Sequence, residues 1–169
     1  DARPGEERGV VVVGLGRELS TQAWLDEWNR HRPINRIRLI DLRTDPKHGR
    51  FFEHRPATAR VAFERADGRL RVRIDDFLSP SIIERLSGEE GILAPSIDDW
   101  RAMVDSVAID TAWDGEIFDV ELIDIPARRS DLVDGTYELD VPAEHADRPA
   151  AVRITDMLGE EVLVIEERR

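Results

Sequence analysis

Four valines, Val10 to Val13, run without a polar interruption and suit a β-strand buried on both faces. Gly14, Leu15 and Gly16 break that run. Beyond them Ser20 stands as a candidate N-cap, and Trp24, Leu25 and Trp28 fall on one face of a helix that Pro33 ends. The next apolar stretch, 37-IRLIDL-42, reads as a second strand. Strand, helix and strand in this order make a βαβ crossover, which sets the two strands parallel. Residues 9–43 are therefore expected to form an α/β unit.

From Thr58 the period changes to two. In 59-ARVAFERADGRLRVRI-74, Val61 and Phe63 alternate with polar positions, Asp67-Gly68 supplies a turn, and Leu70, Val72 and Ile74 alternate with Arg69, Arg71 and Arg73. This pattern predicts a hairpin with a basic outer face. A short helix is expected over 79-SPSIIERLSG-88, with Pro80 in its first turn and Gly88 as a stop. A second hairpin is expected from 104–113 and 116–125 around Asp114-Gly115, with Phe118, Val120 and Leu122 on one face. Strands over 136–141 and 151–167, the latter turning at Leu158-Gly159, complete the set. The fold class that follows is α/β at the N-terminus and α+β overall: a βαβ unit with short parallel strands, then an antiparallel hairpin and Ig-like sandwich portion with a short helix. The domain reading is a linker at 1–8, the βαβ unit at 9–43 and a mostly antiparallel accessory domain at 51–169, either separate from 9–43 or compact with it. Turn-forming residues in 44-TDPKHGR-50 mark the boundary.

Composition narrows the chemistry. In 169 residues with 41% hydrophobic content there is no run of about 18 apolar residues and no basic-then-apolar leader, so the expected compartment is the cytoplasm and no membrane partner is expected. The absence of cysteine excludes disulfides, thiolate metal sites and a cysteine nucleophile. The chain starts at Asp1, and 1-DARPGEER-8 has linker composition, which reads as a piece of a longer protein. The net charge of −12 is unevenly spread: residues 76–169 carry 8 basic and 24 acidic side chains, whereas 13 basic and 5 acidic residues lie between Arg30 and Arg73. Contact with a polyanion belongs in that basic window, because the acidic half repels phosphate.

Four groups of residues are candidates for chemistry. The Gly14-Leu15-Gly16 loop resembles the start of a dinucleotide fingerprint, but Leu19 replaces its third glycine, Arg17 and Glu18 crowd the turn, and Asp41 lies 27 residues from Gly14 where about 20 is usual. A structural strand-to-helix turn is the expected role. The acids between Asp98 and Asp124 follow no calcium-loop spacing, and no pair among them stands out for acid–base work, so outward strand positions and turns are expected. The histidines, His31, His48, His54 and His145, are scattered without ligand spacing, and Ser20, Ser79, Ser81 and Ser87 sit where helices start or stop. Arg69, Arg71 and Arg73 share one strand face at about 7 Å intervals, roughly the repeat of a phosphate backbone. No aromatic on that face offers base stacking, and the alternative is pairing with Glu64 and its neighbours within the protein. With Arg36 and Arg38 these arginines are the candidate DNA contacts.

The order of motifs resembles the C-terminal region of prokaryotic site-specific DNA methyltransferases of the amino-methylating class, which act on adenine or cytosine amines. The matching segments are 51-FFE-53, the hairpin 59–74, 75-DDF-77, 105-DSVAIDTAWDGEIF-118, Gly135-Thr136-Tyr137 and 152-VRITDMLGEEVLV-164, with 10-VVVVGLGRELS-20 ahead of them. Such enzymes carry a Phe-x-Gly-x-Gly loop for S-adenosylmethionine and an (Asp/Asn/Ser)-Pro-Pro-aromatic element for the target amine. Neither occurs here, so no catalytic or cofactor-binding residue of the family carries over. The resemblance implies a non-catalytic accessory domain in a restriction-modification or phage-defence setting. S-adenosylmethionine would be bound by the parent enzyme, outside this chain. DNA, a restriction or helicase subunit, or a second copy are the partners implied. Two other readings stay open: a free-standing interaction module with an Ig-like sandwich, and a nucleotide-binding enzyme using Gly14 and Gly16.

Overall fold

A computed structural model of the chain describes residues 9–44, 51–87, 97–128 and 130–168, with backbone alone at Phe51 and Phe52. Two compact units divide it, Asp1–Arg55 and Pro56–Arg169. The division falls after the 44–50 stretch where turn composition places it. The reason is that strand β3 (Phe51–His54) pairs antiparallel with β2 (Ile37–Thr44) and so belongs to the first unit. The expected linker at 1–8 lies outside the described residues.

In the first unit, β1 (Val10–Gly14) runs parallel to β2, with Val10 opposite Ile37 and Gly14 opposite Asp41, as the crossover pattern requires. Helix α1 (Thr21–His31) joins the two strands and buries Leu25. A brace invisible in the sequence fixes its far end: the Asn29 side chain donates to the Ile37 carbonyl at 2.9 Å and accepts the Ile37 amide at 2.8 Å. Two expectations fail here. Ser20 has helical dihedrals and makes no side-chain cap, because a capping hydroxyl needs extended backbone to reach back to the first turn. The valine strand is also not covered. It forms an edge of the three-stranded sheet β1-β2-β3, and all four valines are exposed.

The second unit is two antiparallel sheets around one core. Strand β4 (Thr58–Ala66) and β5 (Arg69–Leu78) form the expected hairpin, and Asp67 and Gly68 take φ of 50° and 74°, the double positive φ of a two-residue turn matched to strand twist. Strand β8 (Thr136–Asp140) adds to the free side of β5, giving the order β4-β5-β8. The second sheet has the order β10-β9-β6-β7, from β6 (Val104–Asp110), β7 (Leu122–Asp124), β9 (Ala151–Asp156) and β10 (Glu161–Ile165). Leu70, Val72, Ile74 and Phe77 of β5 meet Val107 and Ile109 of β6 and Val152 and Ile154 of β9 in the core. Each such side chain contributes about 1.5–3 kcal/mol by leaving water. Helix α2 (Pro80–Ser87) starts as expected, with the Ser79 hydroxyl accepting the Ile82 amide at 3.3 Å. The whole is an α+β fold dominated by its sheets.

The second expected hairpin is corrected. Residues 111–121 do not continue the ladder, and Phe118 and Val120 are not on a strand. The cause is Asp110, a buried carboxylate that accepts the amides of Ala112 at 2.8 Å and Asp119 at 2.9 Å and draws the chain into a wide connection. Pairing resumes only at β7, where Leu122 faces Ile109 and Asp124 faces Val107.

Candidate functional site

The arginine row lies where alternation places it, on the outer face of β5. What alternation does not reveal is the company it keeps. On one side β8 sets Asp140 opposite Arg69 and Glu138 opposite Arg71; on the other β4 sets Glu64 opposite Arg71. Arg69 pairs with Asp140 at 3.3 Å, Arg71 with Glu138 at 3.5 Å and Arg73 with Asp75 at 2.7 Å. The hydrogen bond to Asp75, then its charge, raises the Arg73 pKa further above its ordinary value. The arginines are all more than half exposed, so solvent screens these pairs and they add little to stability. Glu64, Asp75, Glu138 and Asp140 stand beside the three arginines, so the acids in this row outnumber its cations. Arg38, on β2, pairs with Glu53 at 3.5 Å, and Arg36 precedes that strand, its carbonyl accepting the Val10 amide. These two belong to the first unit and the β5 arginines to the second.

The acids of the second unit do other work. Asp156 is buried at the β9–β10 turn, where it accepts the amides of Leu158 and Glu160 and the Ser79 hydroxyl at 2.6 Å, tying the start of α2 to the sheet. Asp114 accepts the amides of Glu116 and Ile117, and those bonds hold its carboxyl below the usual carboxylate range. The Arg101 side chain, then its amide, does the same to Asp99. Asp124 accepts the Asp134 amide and the Tyr137 hydroxyl, both at 2.8 Å. Short-range carboxylate-to-amide turns are the signal that marks such aspartates in a sequence, each lying two to four residues before an amide it holds; Asp110, Asp114 and Asp156 fit that rule, whereas Asp124 does not.

The glycine loop leads into α1, where Arg17 donates to Gln22 at 2.7 Å and Gln22 to Asp26 at 2.9 Å along the start of the helix. Asp41 is buried beside Gly14 in the β1–β2 register, with one carboxylate oxygen lacking a hydrogen-bond partner. His54 sits opposite Asp41 on β3, His31 contacts the Glu27 carbonyl, His145 lies in a short 3-10 turn, and His48 falls outside the described residues. Among the described residues no three His, Asp or Glu side chains converge as metal ligands, and no helix is long and apolar enough to cross a membrane.

Within the acidic half, the wide connection and β7 form a rim at the edge of the four-stranded sheet, a shape the expected hairpin did not give. Ile117, Val120, Ile123 and Ile125 are all about half exposed or more, interleaved with Asp114, Glu116, Asp119 and Glu121. The second unit as a whole carries 13 arginines and no lysine against 27 acids. No family model matches the chain, and no curated protein or solved structure matches it.

Proposed function

We propose that the chain is a non-catalytic docking module, and that the parent enzyme is an S-adenosylmethionine-dependent amino-DNA methyltransferase of a restriction-modification type. The observation that carries the docking role is the 114–125 rim, which offers exposed branched aliphatics interleaved with acids at a sheet edge. Exposed apolar side chains grouped this way mark protein contact surfaces. The complementary partner surface combines apolar and basic side chains, as a restriction or helicase subunit with a lysine- or arginine-rich face would provide. DNA-backbone contact through Arg69, Arg71 and Arg73 has less support, because acids on β4 and β8 offset the row and the unit's net charge opposes approach to phosphate. The buried carboxylates Asp110 and Asp156 are occupied by backbone amides, which favours a scaffold over acid–base chemistry. The methyltransferase parent rests on the order of motifs from 51-FFE-53 to 152-VRITDMLGEEVLV-164.

The test uses the complete reading frame that contains this chain. Incubated with duplex DNA and methyl-labelled S-adenosylmethionine, it is expected to label adenine or cytosine amines, whereas residues 1–169 alone label nothing. Ile117→Asp with Ile123→Asp is expected to leave labelling unchanged and to abolish co-purification with a subunit expressed from the same operon. Lack of methyl transfer by the complete protein removes the methyltransferase parent; unchanged co-purification removes the rim.

A further inference from the structure

Strand β1 has a sequence that its surroundings do not match. An unbroken β-branched run in a strand parallel to its neighbour belongs where both faces are covered. Yet Val10, Val11, Val12 and Val13 are 51%, 56%, 44% and 58% exposed, and both faces of the strand are open. The strand is also a sheet edge, so its outward amides and carbonyls are unpaired by any described strand. Several features that block further pairing at an edge are missing within its five residues. It bears no charge and no proline, and its five residues keep an unshifted register with β2.

We propose that β1 is the seam of a two-fold dimer, in which it pairs antiparallel with β1 of a second copy. The sheet then runs through six strands in the order β3-β2-β1-β1-β2-β3. A strand that pairs with itself must set no like charges opposite one another, and Val10–Gly14 meets that condition along its whole length. Pairing centred on Val12 sets Val12 against Val12, Val11 against Val13 and Val10 against Gly14, so all five residues join the ladder. The valines and Leu15, itself 75% exposed, present apolar surface on the order of several hundred Å² per copy. An uncharged strand gives a foreign partner no charge to select by, which favours the second copy. The new sheet edges become β3, only four residues long and bearing Glu53, an edge of the protected kind. The proposal concerns the first unit and stands or falls separately from the docking rim of the second.

The chain has no cysteine, so a single introduced thiol reports on one position. Opposed residues of an antiparallel pair lie about 4.5–5.5 Å apart at Cα, within disulfide range. In the full 169-residue chain, Val12→Cys is expected to form a disulfide dimer under mild oxidation on the order of a hundredfold faster than Ile117→Cys, since pairing lifts the local thiol concentration from about ten micromolar to about one millimolar. Sedimentation velocity on the unmodified chain is expected to give a dimer that Val11→Lys with Val13→Lys converts to a monomer of unchanged circular dichroism. Equal cross-linking rates for the two cysteine variants, or a monomer throughout the micromolar range, overturns the proposal. Should the lysine variant fail to fold, the cysteine pair alone decides.

Discussion

The Tyr137 hydroxyl donates to the Asp124 carboxylate at 2.8 Å and accepts the Gly135 amide at 3.1 Å, joining β8 of one sheet to β7 of the other. Burial is the main reason its pKa is raised, with Asp124 adding to the shift. The folded hydroxyl therefore keeps its proton above the unfolded value of about 10. Its contribution to stability is complete below that pH and is lost as pH rises through the raised folded value. Because this is the single tyrosine in the chain, phenolate absorbance near 295 nm reads it alone. No phenolate signal is expected until the protein unfolds in alkali, at which point both appear together. Tyr137→Phe is expected to cost about 1–3 kcal/mol at neutral pH by leaving the Gly135 amide without its partner and Asp124 with only the Asp134 amide.

Arg65 makes a mostly buried ion pair in the second unit. It grips both oxygens of Glu166 at 3.0 Å and donates to the carbonyls of Thr111 and Arg148, while Glu166 also holds the Ala150 amide. Both side chains are mostly buried, so removing one partner leaves an uncompensated charge. Arg65→Ala is expected to lower unfolding free energy by about 3 kcal/mol in urea titrations. Arg65→Lys should recover only a part, because an ammonium group cannot reproduce the forked geometry.

Gly135 illustrates a position that a side chain cannot occupy. Its φ is 78°, and a Cβ there would stand 3.0 Å from the Trp100 ring. Gly135→Ala is expected to destabilise by about 1–3 kcal/mol, seen as a lower thermal midpoint with altered tryptophan fluorescence. Gly159→Ala, with φ 82° but open space around the missing Cβ, should cost less.

Local rules made much of the fold legible. Alternation placed Leu70, Val72 and Ile74 inward, and Asp67-Gly68 and Gly159 marked turns, because those signals lie within a few residues of what they determine. The wide connection after β6 was hidden, since it depends on a buried Asp110 that reaches nine residues ahead to the Asp119 amide. The arginine row was placed on its strand and face correctly, but its neutralisers Glu138 and Asp140 arrive on β8, more than 60 residues later, and no local pattern announces that pairing. Val10–Val13 read as buried because composition reports what a strand needs, whereas exposure reports what the chain by itself supplies.

Titration of labelled duplex DNA with the 169-residue chain at about 50 mM salt tests docking in place of phosphate contact most directly. No saturable binding is expected up to tens of micromolar protein, with Arg69→Ala, Arg71→Ala and Arg73→Ala together changing nothing. Micromolar binding with a log–log salt slope near about −3, abolished by the triple variant, would contradict it.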